Sequence, residues 1–504
     1  AFHSMLGQPI YIDSLFFGCE FPATENRILH GSATIRYFIG KPLGKGFECP
    51  VTVMGGGKDN TLPSVRKAFY EYIESISVPA TLRFQYNSWY DYMKDITEQN
   101  IMTSFTEVRK QLTHYGAPEL AAYVVDDGWP DVKAGFWSFN KKFPNKLTNV
   151  TALCKEMGSK FGLWLGPRGG YTRPDKIAKR YQRAGNGYLN KEARDICVAS
   201  TKYIEKLGDF LVETTNEFDI DYWKLDGFCL KPCLNEKHDH MVGGYEDMYF
   251  ATDMWQKWIA LYDKLRAAKP DIWINMTCYV NVSPWWLQWV NSLWVQNSGD
   301  IGFAKNLENQ AQVDKEITYR DARYFDCLCT RALQIPLKNL YNHEPIYGNT
   351  AHVDYTDEEF EKYIYWCTVR GQALNELHLS VNMMNESKWT SLAAAMNWQK
   401  DNYHILQNAQ FIGGNPEENN IYGYISWDGD DGVIALRNPT DEETSLTLTL
   451  NKLMGAPEDL QGAKRFNVYC KSLEETDETY AYNSKMDLTM KPFEIMIFKI
   501  GKEK

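Results

Sequence analysis

Two residues near the middle of the chain, Lys224 and Asp226, have the types and the spacing of a catalytic pair. They end the apolar segment 220–226, and residues two apart on a strand point to the same face of the sheet. A neighbouring ammonium group lowers the pKa of a carboxyl group and so keeps it ionised. The segment therefore predicts an ionised aspartate that acts as a nucleophile or stabilises positive charge.

Three further aspartates, Asp126, Asp127 and Asp300, also come directly after apolar segments. Aspartate is a common helix N-cap, which is the simplest interpretation of each one taken alone. Together with Asp226 they favour glycoside hydrolysis, which needs one carboxylate that attacks and one acid that protonates the leaving oxygen. Asp226 fits the ionised member. Asp300 has no cation beside it in the sequence and fits an acid with a raised pKa.

The elements that must position these residues alternate between strand and helix patterns. Eight strand segments are expected near 82–89, 121–125, 162–165, 220–226, 272–278, 293–296, 340–345 and 374–378. Helical patterns separate them, and a last helix is expected near 386–408. Strands that alternate with helices predict a parallel sheet, and eight of them predict a closed (β/α)8 barrel with its chemistry at the carboxyl ends of the strands.

The segments on either side of this pattern differ from it. Residues 1–78 show short strands with Gly and Pro turns and then a linker helix, residues 79–412 form the expected barrel, and residues 413–504 show alternating strands. The predicted fold class is therefore α/β, a (β/α)8 TIM barrel with a short N-terminal β segment and a C-terminal antiparallel β-sandwich domain. The C-terminal domain is expected mainly to pack against the barrel.

The composition narrows the range of partners. Among 504 residues, 54 Lys and Arg stand against 65 Asp and Glu, and the net charge of −11 argues against nucleic acid and anionic membranes. No apolar run approaches the roughly 20 residues of a membrane span. The first five residues lack the features of a signal peptide, which leaves a cytoplasmic location open and, for a processed chain, a secreted one. An oligomer is compatible with the sequence.

Metal binding is not expected from the cysteine and histidine spacing. The chain has 11 cysteines, and two close pairs occur, but no histidine or second pair follows either at zinc-finger spacing. Asp239 lies between His238 and His240 in a polar segment, which favours a solvated loop. We therefore expect neither a metal nor a cofactor.

The motifs 126–129, Asp-Asp-Gly-Trp, and 224–227, Lys-Leu-Asp-Gly, resemble those of glycoside hydrolase clan D. This clan contains the α-galactosidases and α-N-acetylgalactosaminidases of families 27 and 36, and the resemblance extends from about residue 82 to residue 380. It implies that Asp226 is the nucleophile, that Asp300 is the acid/base, and that Lys224 binds sugar hydroxyls.

The resemblance also implies how a sugar is recognised. Asp126 and Asp127 would hold the 4- and 6-hydroxyls of galactose, and Trp89 resembles the tryptophan that lines the sugar pocket. Hydrogen-bond acceptors on one rim can select an axial 4-hydroxyl, and an aromatic ring can cover the apolar C–H face. The predicted substrate is therefore an oligosaccharide or glycoconjugate.

Three departures from the family pattern limit what the resemblance implies. Cys278 and Tyr279 end the fifth strand and are expected to contact the 2-substituent, but family 27 has Glu or Ser where Tyr279 stands. The choice between galactose and N-acetylgalactosamine therefore stays open. Gln296 replaces a family 27 arginine. Family 36 has a large β-domain before the barrel, whereas only about 65 residues stand here, and residues 16–22 resemble the last part of such a domain.

Other polar residues at strand ends have two interpretations each. Arg168, after the third strand, is a candidate for substrate contact, and pairing with a barrel carboxylate is the alternative. His343 and Glu344 after the seventh strand could line the pocket, as could Glu376 and His378 in the eighth, but structural roles are favoured for them.

The resulting hypothesis is a retaining exo-glycosidase that removes terminal α-linked galactose or N-acetylgalactosamine by double displacement. An α-galactosyl transglycosylase of the raffinose-synthase type would use the same nucleophile and exclude water. A non-catalytic carbohydrate-binding barrel is a third hypothesis, although binding alone does not require an acid opposite a nucleophile. A metal-dependent barrel enzyme is a fourth, and sensitivity to a chelator would distinguish it.

Overall fold

The computed structural model describes residues 6–41, 43–44, 46–227, 231–244, 246–277, 281–474 and 476–502. Its N-terminal part consists of an antiparallel sheet in the order β1-β2-β5 and the separate hairpin β3–β4, followed by helix α1. The elements are β1 (Ile10–Ile12), β2 (Leu15–Cys19), β3 (Glu25–Leu29), β4 (Ser32–Arg36), β5 (Thr52–Gly56) and α1 (Leu62–Ile76).

This N-terminal segment lies against the barrel that follows. The Asn281 side chain donates a hydrogen bond to the carbonyl oxygen of Pro22 at 2.8 Å, and Ser283 Oγ donates to that of Gly7 at 2.8 Å. The glycine is required there, because a Cβ at Gly7 would come within 2.4 Å of the Pro22 carbonyl oxygen and φ is +65°. The segment is therefore fixed on the loop after the fifth barrel strand.

The centre of the molecule is a parallel sheet of nine strand segments in the order β14-β13-β12-β11-β8-β7-β6-β16-β15. The two ends of this order, β14 and β15, are separated only by residues 342–345, so they act as one interrupted strand that closes the sheet. The predicted (β/α)8 barrel is confirmed. The strands are β6 (Arg83–Asn87), β7 (Ala122–Val125), β8 (Lys160–Leu165), β11 (Ile220–Leu225), β12 (Trp273–Met276), β13 (Ser292–Trp294), β14 (Leu340–Tyr341), β15 (Ile346–Tyr347) and β16 (Leu374–Leu379), with the hairpin β9 (Leu189–Asn190) and β10 (Asp195–Ile196) inserted after β8.

Helices connect the strands and cover the barrel. Two of them begin with a capping box, formed by Thr97 with Asn100 and by Thr356 with Glu359, which satisfies backbone donors that the first turn leaves free. Among the helices of the described residues, none combines the length and the apolar character that crossing a bilayer requires. The helices are α2 (Trp89–Tyr92), α3 (Glu98–His114), α4 (Thr148–Glu156), α5 (Pro174–Arg183), α6 (Thr201–Phe218), α7 (Met248–Ala268), α8 (Gln312–Phe325), α9 (Asp357–Val369) and α10 (Glu386–Leu406).

The C-terminal part is an antiparallel β-domain, as the alternating pattern predicted. Six strands form one sheet in the order β17-β18-β19-β24-β21-β22, and β20 pairs with β23. A separate apolar cluster that includes Ile434, Leu488 and Phe498 fills its interior. The strands are β17 (Gln410–Gly413), β18 (Tyr422–Asp428), β19 (Asp431–Arg437), β20 (Thr444–Thr449), β21 (Ala463–Tyr469), β22 (Thr479–Tyr480), β23 (Lys485–Met490) and β24 (Ile495–Gly501).

The contact between this domain and the barrel includes a buried polar cluster beside apolar side chains such as Val433 and Ile497. The hydroxyl groups of Tyr422 and Tyr424 donate to the carboxylate of Asp321 in α8, at 2.6 Å and 2.7 Å. Arg370 pairs with the same carboxylate at 2.9 Å, and Trp366 donates to it at 2.7 Å. Asp321 of α8 therefore links Trp366 and Arg370, in and just after α9, to the two tyrosines of β18.

Candidate active site

The carboxyl ends of the barrel strands, called the barrel mouth below, bring the predicted catalytic residues to one face. Asp126 follows β7, Asp226 follows β11 and Asp300 lies in the connection after β13. Every residue of β11 is buried, including Lys224 with 1% of its surface exposed. A charged side chain this deep needs a partner, because an unpaired buried charge is strongly unfavourable.

Lys224 finds its direct partner in Asp126. Its Nζ atom lies 2.8 Å from Asp126 Oδ2, and both side chains are buried. Burial alone would lower the pKa of Lys224, but the charges of Asp126, Glu376 and Asp226 outweigh it and raise the pKa above the ordinary value. Lys224 is therefore a permanent ammonium group under the barrel mouth. Its hydrogen bond goes to Asp126, and its effect on Asp226 acts through space.

The carboxylate of Asp226 is oriented by hydrogen bonds from the two neighbouring strands. Trp164 Nε1 donates to Oδ2 at 3.0 Å, and Thr277 Oγ1 donates to Oδ1 at 3.0 Å. Trp164 lies in β8 and Thr277 follows β12, and both strands pair with β11. The sequence reasoning missed both residues. The sequence places both residues near strand ends, but only the sheet order shows that their strands are the neighbours of β11.

Asp127 is buried next to Asp126 and has an unused acceptor. Within the described residues its Oδ2 atom has no hydrogen-bond partner, and the nearest cation, Lys94, lies 4.0 Å away. Burial raises the pKa of Asp127 to about 7, with Lys94 opposing the rise and the charge of Asp126 adding to it. The residue lines a cavity of about 310 Å³ together with Trp164 and Tyr171. A ligand hydroxyl in that cavity would satisfy the free oxygen.

Asp300 lies in a connection that Arg320 of α8 holds by its backbone. Arg320 Nη2 donates to the carbonyl oxygen of Asp300 at 2.6 Å, and Nη1 donates to that of Gly299 at 3.2 Å. Arg320 is itself fixed by Glu344 at 2.9 Å. The Asp300 side chain is 55% exposed at the mouth. Partial removal from water, followed by the charge of Asp226, raises the pKa of Asp300 to about 6.

A buried histidine, His343, lies beside Asp300, and a second one, His378, contacts it. His343 Nδ1 is 3.7 Å from Asp300 Oδ1 and has no hydrogen-bond partner in the described part of the chain. Burial, and then the charge of Lys224, lowers the pKa of His343 well below its ordinary value. His378 also has its pKa lowered, to about 3, chiefly by burial, and its Nδ1 contacts the carbonyl oxygen of His343 at 2.7 Å. Both rings are therefore neutral near pH 7, and the buried Nδ1 atom of His343 lies next to the Asp300 carboxyl group.

Glu376 completes the floor under the mouth. Its Oε1 atom accepts hydrogen bonds from Gln85 at 2.7 Å and Asn87 at 3.1 Å, and Tyr341 donates to Oε2. These donors come from β6 and β14 on both sides of β16. Glu376 is fully buried and acts on Lys224 through its charge, so the structure places it in a supporting position rather than at the surface of the pocket.

The remaining predicted contacts have different locations. Trp89 begins α2 just after the carboxyl end of β6 and is partly buried, and its contact with the sugar stays a prediction. Arg168 Nε donates to Asp195 Oδ2 at 2.5 Å, which is the pairing alternative considered for this residue. Cys278 and Tyr279 lie outside the described residues, and their contact with a 2-substituent stays a prediction.

No protein-family model and no curated protein sequence matches the chain. Solved structures match it in fold. A variant of the GH36 α-galactosidase AgaA from Geobacillus stearothermophilus, in complex with 1-deoxygalactonojirimycin, gives a TM-score of 0.67 at 14% identity over 98% of this chain and 68% of that one. A variant of the same enzyme in complex with raffinose gives the same values. The α-galactosidase from Lactobacillus brevis gives 0.67 at 12% identity, over 99% of this chain and 67% of that one.

These matches define the class of fold. The chain has the clan D α-galactosidase-like fold, a (β/α)8 barrel followed by an antiparallel β-domain, as the resemblance of its motifs implied.

Proposed function

We propose that the protein is a retaining glycosidase that hydrolyses terminal α-linked galactose from oligosaccharides or glycoconjugates. The single observation that carries the proposal is the pair of unequal carboxyl groups at one barrel mouth. Asp226 is oriented by a hydrogen bond to each oxygen, and Asp300 has its pKa raised to about 6. One group suited to attack and one suited to give a proton are what glycoside hydrolysis requires.

The reaction proceeds in two displacements. A carboxylate oxygen of Asp226 attacks the anomeric carbon while the Asp300 carboxyl group transfers its proton to the departing glycosidic oxygen. Asp300, now ionised, takes a proton from water, and the hydroxide attacks the anomeric carbon and releases Asp226. This double displacement keeps the anomeric configuration, and it calls for carboxyl groups roughly 5–6 Å apart, because a separation near 9 Å belongs to inverting enzymes.

The sugar is held by the charged floor of the mouth. Lys224 and Asp126 form a buried pair whose remaining hydrogen-bonding capacity is available to hydroxyl groups, and Asp127 offers its free Oδ2. An axial 4-hydroxyl that reaches these acceptors distinguishes galactose from its equatorial isomer, because the isomer would leave a buried polar group without a partner. Trp89 would cover the apolar face of the ring. Raffinose, which the GH36 relative binds, carries such a terminal galactose.

The test is hydrolysis of nitrophenyl α-galactoside and nitrophenyl α-N-acetylgalactosaminide by the unaltered protein and by Asp226→Asn. We expect turnover of the galactoside, and its loss in the variant, because an amide cannot act as the nucleophile. Asp209→Asn, at an exposed carboxylate, is the matched control and should retain full activity. Preference for the second substrate would identify N-acetylgalactosamine instead.

The same assay decides between hydrolysis and transfer. NMR should show that galactose is first released as the α anomer. When a sugar acceptor is added, most of the galactose should still be released free. A first-formed β product, or full activity in Asp226→Asn, would exclude the double displacement. Predominant transfer to the acceptor would identify a transglycosylase.

A further inference from the structure

A cluster of four side chains outside the barrel mouth has the composition of a metal site. Cys197, Cys233, His238 and His240 each offer one sulfur or nitrogen atom, and these atoms all lie within 4.8 Å of one another. Cys197 is 1% exposed and Cys233 is 3% exposed, while both histidines are partly buried. We propose that these four residues bind one structural zinc ion.

The distances in the cluster are close to those of a tetrahedral zinc site. Cys197 Sγ lies 3.1 Å from His240 Nε2, and Cys233 Sγ lies 3.2 Å from His238 Nδ1. Zinc–sulfur bonds of about 2.3 Å and zinc–nitrogen bonds of about 2.0 Å place neighbouring donors roughly 3.5 Å apart. An expansion of a few tenths of an ångström therefore admits the ion.

The surroundings orient the two imidazole rings. His240 Nδ1 contacts the carbonyl oxygen of Met241 at 2.7 Å, and because a carbonyl can only accept, this nitrogen carries the proton. The lone pair of the ring then belongs to Nε2, the atom nearest Cys197. A partner of this kind on the outer nitrogen is usual for histidine ligands. The His238 ring stacks on Tyr188 with 4.3 Å between centroids, which fixes its plane.

The donor set selects the kind of ion. Two thiolates and two imidazoles are the ligands of structural zinc sites, and they form a neutral complex with a divalent ion. Hard ions such as magnesium and calcium prefer oxygen ligands. Four protein donors also fill the tetrahedral coordination shell and leave no position for a substrate, so the inferred role is structural.

The ion would join two connections that begin at the barrel mouth. Cys197 follows β10, in the connection after β8, whereas the other three ligands lie in the connection after β11, the strand that presents Asp226. The same connections already meet where Asp239 accepts hydrogen bonds from the backbone N–H groups of Thr201 and Lys202, at 3.2 Å and 2.9 Å. Zinc would thus fix the segment that follows the proposed nucleophile, and Asp239 caps helix α6 instead of binding the ion.

The experiment measures the zinc content of tag-free protein after incubation with zinc chloride under a thiol reductant and removal of free metal. We expect about one zinc ion per chain. Cys233→Ser and His240→Asn should each lose most of it. Cys329→Ser and His404→Asn change exposed residues of the same two types and should leave the zinc content unchanged.

X-ray absorption at the zinc edge should show two sulfur and two nitrogen neighbours, at about 2.3 Å and about 2.0 Å. If the variants do not fold, the unaltered protein is reconstituted with cobalt(II) instead. Its spectrum should then show the absorption bands of thiolate-to-cobalt charge transfer. The proposal is overturned if the unaltered protein retains no zinc, if Cys197→Ser/Cys233→Ser keeps it, or if peptide mapping finds a Cys197–Cys233 disulfide. None of these readouts depends on glycosidase activity.

Discussion

The buried carboxyl group of Asp127 lowers the stability of the folded protein. Its carboxyl group is buried beside Asp126, and its Oδ2 atom is without a hydrogen-bond partner among the described residues. Desolvation of a charge that is not fully compensated is unfavourable, so the folded protein favours the protonated form. In the proposed function a sugar hydroxyl uses this acceptor, whereas its burial lowers the stability of the folded protein.

The stability of the protein should therefore depend on the charge of Asp127. Its pKa is raised from 3.8 to about 7 on folding, so the folded state binds the proton more tightly and stability is lost as pH rises through this range. Asp127→Asn removes the ionisation and should raise the free energy of unfolding at pH 8 by roughly 1–3 kcal/mol. It should change it little below pH 4, and galactoside hydrolysis should fall sharply.

Urea unfolding of both proteins at the two pH values measures this difference. Asp428→Asn, at an exposed carboxylate, is the control. An equal effect of Asp127→Asn at both pH values would show that the pKa of Asp127 does not change on folding.

The second prediction concerns Asp300 and the pH dependence of catalysis. An acid works only while protonated, and the pKa of Asp300 is raised to about 6. The value of kcat/KM should therefore fall as pH rises above about 6. Asp300→Asn should slow raffinose hydrolysis by roughly 10²- to 10⁴-fold. With nitrophenyl α-galactoside the variant should slow the first chemical step less, because the nitrophenolate leaving group needs little protonation.

Steady-state pH profiles on both substrates, with single-turnover rates for the nitrophenyl compound, test this role. A profile whose alkaline limb is unchanged in Asp300→Asn would assign the proton to another group.

At the scale of elements, helix α8 determines where the acid lies. Arg320 reaches from α8 to the backbone of the connection that carries Asp300, and its partner Glu344 lies in the interruption between β14 and β15. The position of the acid thus depends on a helix and a strand that carry none of the predicted catalytic residues. Arg320 is a positioning residue, since it contacts Asp300 only through the main chain.

Arg320→Met should release the connection after β13 and lower kcat by roughly 10- to 100-fold, because small displacements of a catalytic group are costly. Binding of 1-deoxygalactonojirimycin should weaken much less, because the floor of the mouth is intact. Arg320→Lys should restore part of kcat if charge is the main requirement. Kinetics and inhibitor titration of both variants, with circular dichroism as a check on folding, make the comparison. Equal losses in kcat and inhibitor affinity would instead indicate general damage to the mouth.

The positions of several barrel strands could be predicted from the sequence. Strand patterns located β7, β8 and β11 within one or two residues because each is a continuous apolar run between polar ends. The expected strand near 340–345 is instead interrupted between β14 and β15. In the interruption, His343 lies next to Asp300 and Glu344 pairs with Arg320.

The supporting residues Trp164, Thr277 and Arg320 could not be predicted from the sequence. Each contacts a residue that is distant in the chain, and nothing local distinguishes it from a core residue. The carboxylates were found because strand ends of a barrel meet at one face whatever the details of packing. The bounds expected for the three domains stay a prediction.

At the scale of the whole molecule, Asp321 connects the barrel with the C-terminal domain. Its two oxygens accept hydrogen bonds from Tyr422 and Tyr424 of the domain and from Arg370 and Trp366 of the barrel. Because every partner is buried, loss of the carboxylate would leave a buried cation and several donors unsatisfied.

Asp321→Ala should therefore destabilise the protein by roughly 3–5 kcal/mol. It should also reduce cooperativity, so that the two parts unfold in separate calorimetric transitions. Asp441→Asn, at an exposed position between β19 and β20 of the C-terminal domain, is the comparison variant. A single transition shifted to lower temperature would mean that apolar contacts, and not this cluster, couple the two parts.

The excess of carboxylates at the barrel mouth has a consequence for charged ligands. Asp126, Asp127, Asp226 and Asp300 share the mouth with one buried ammonium group, that of Lys224. A substrate sugar develops positive charge only on the way to the oxocarbenium-like transition state, whereas a protonated iminosugar carries that charge from the start. We therefore expect the mouth to bind a protonated iminosugar more tightly than a neutral sugar. This preference should grow as Asp127 and Asp300 ionise, for as long as the amine keeps its proton.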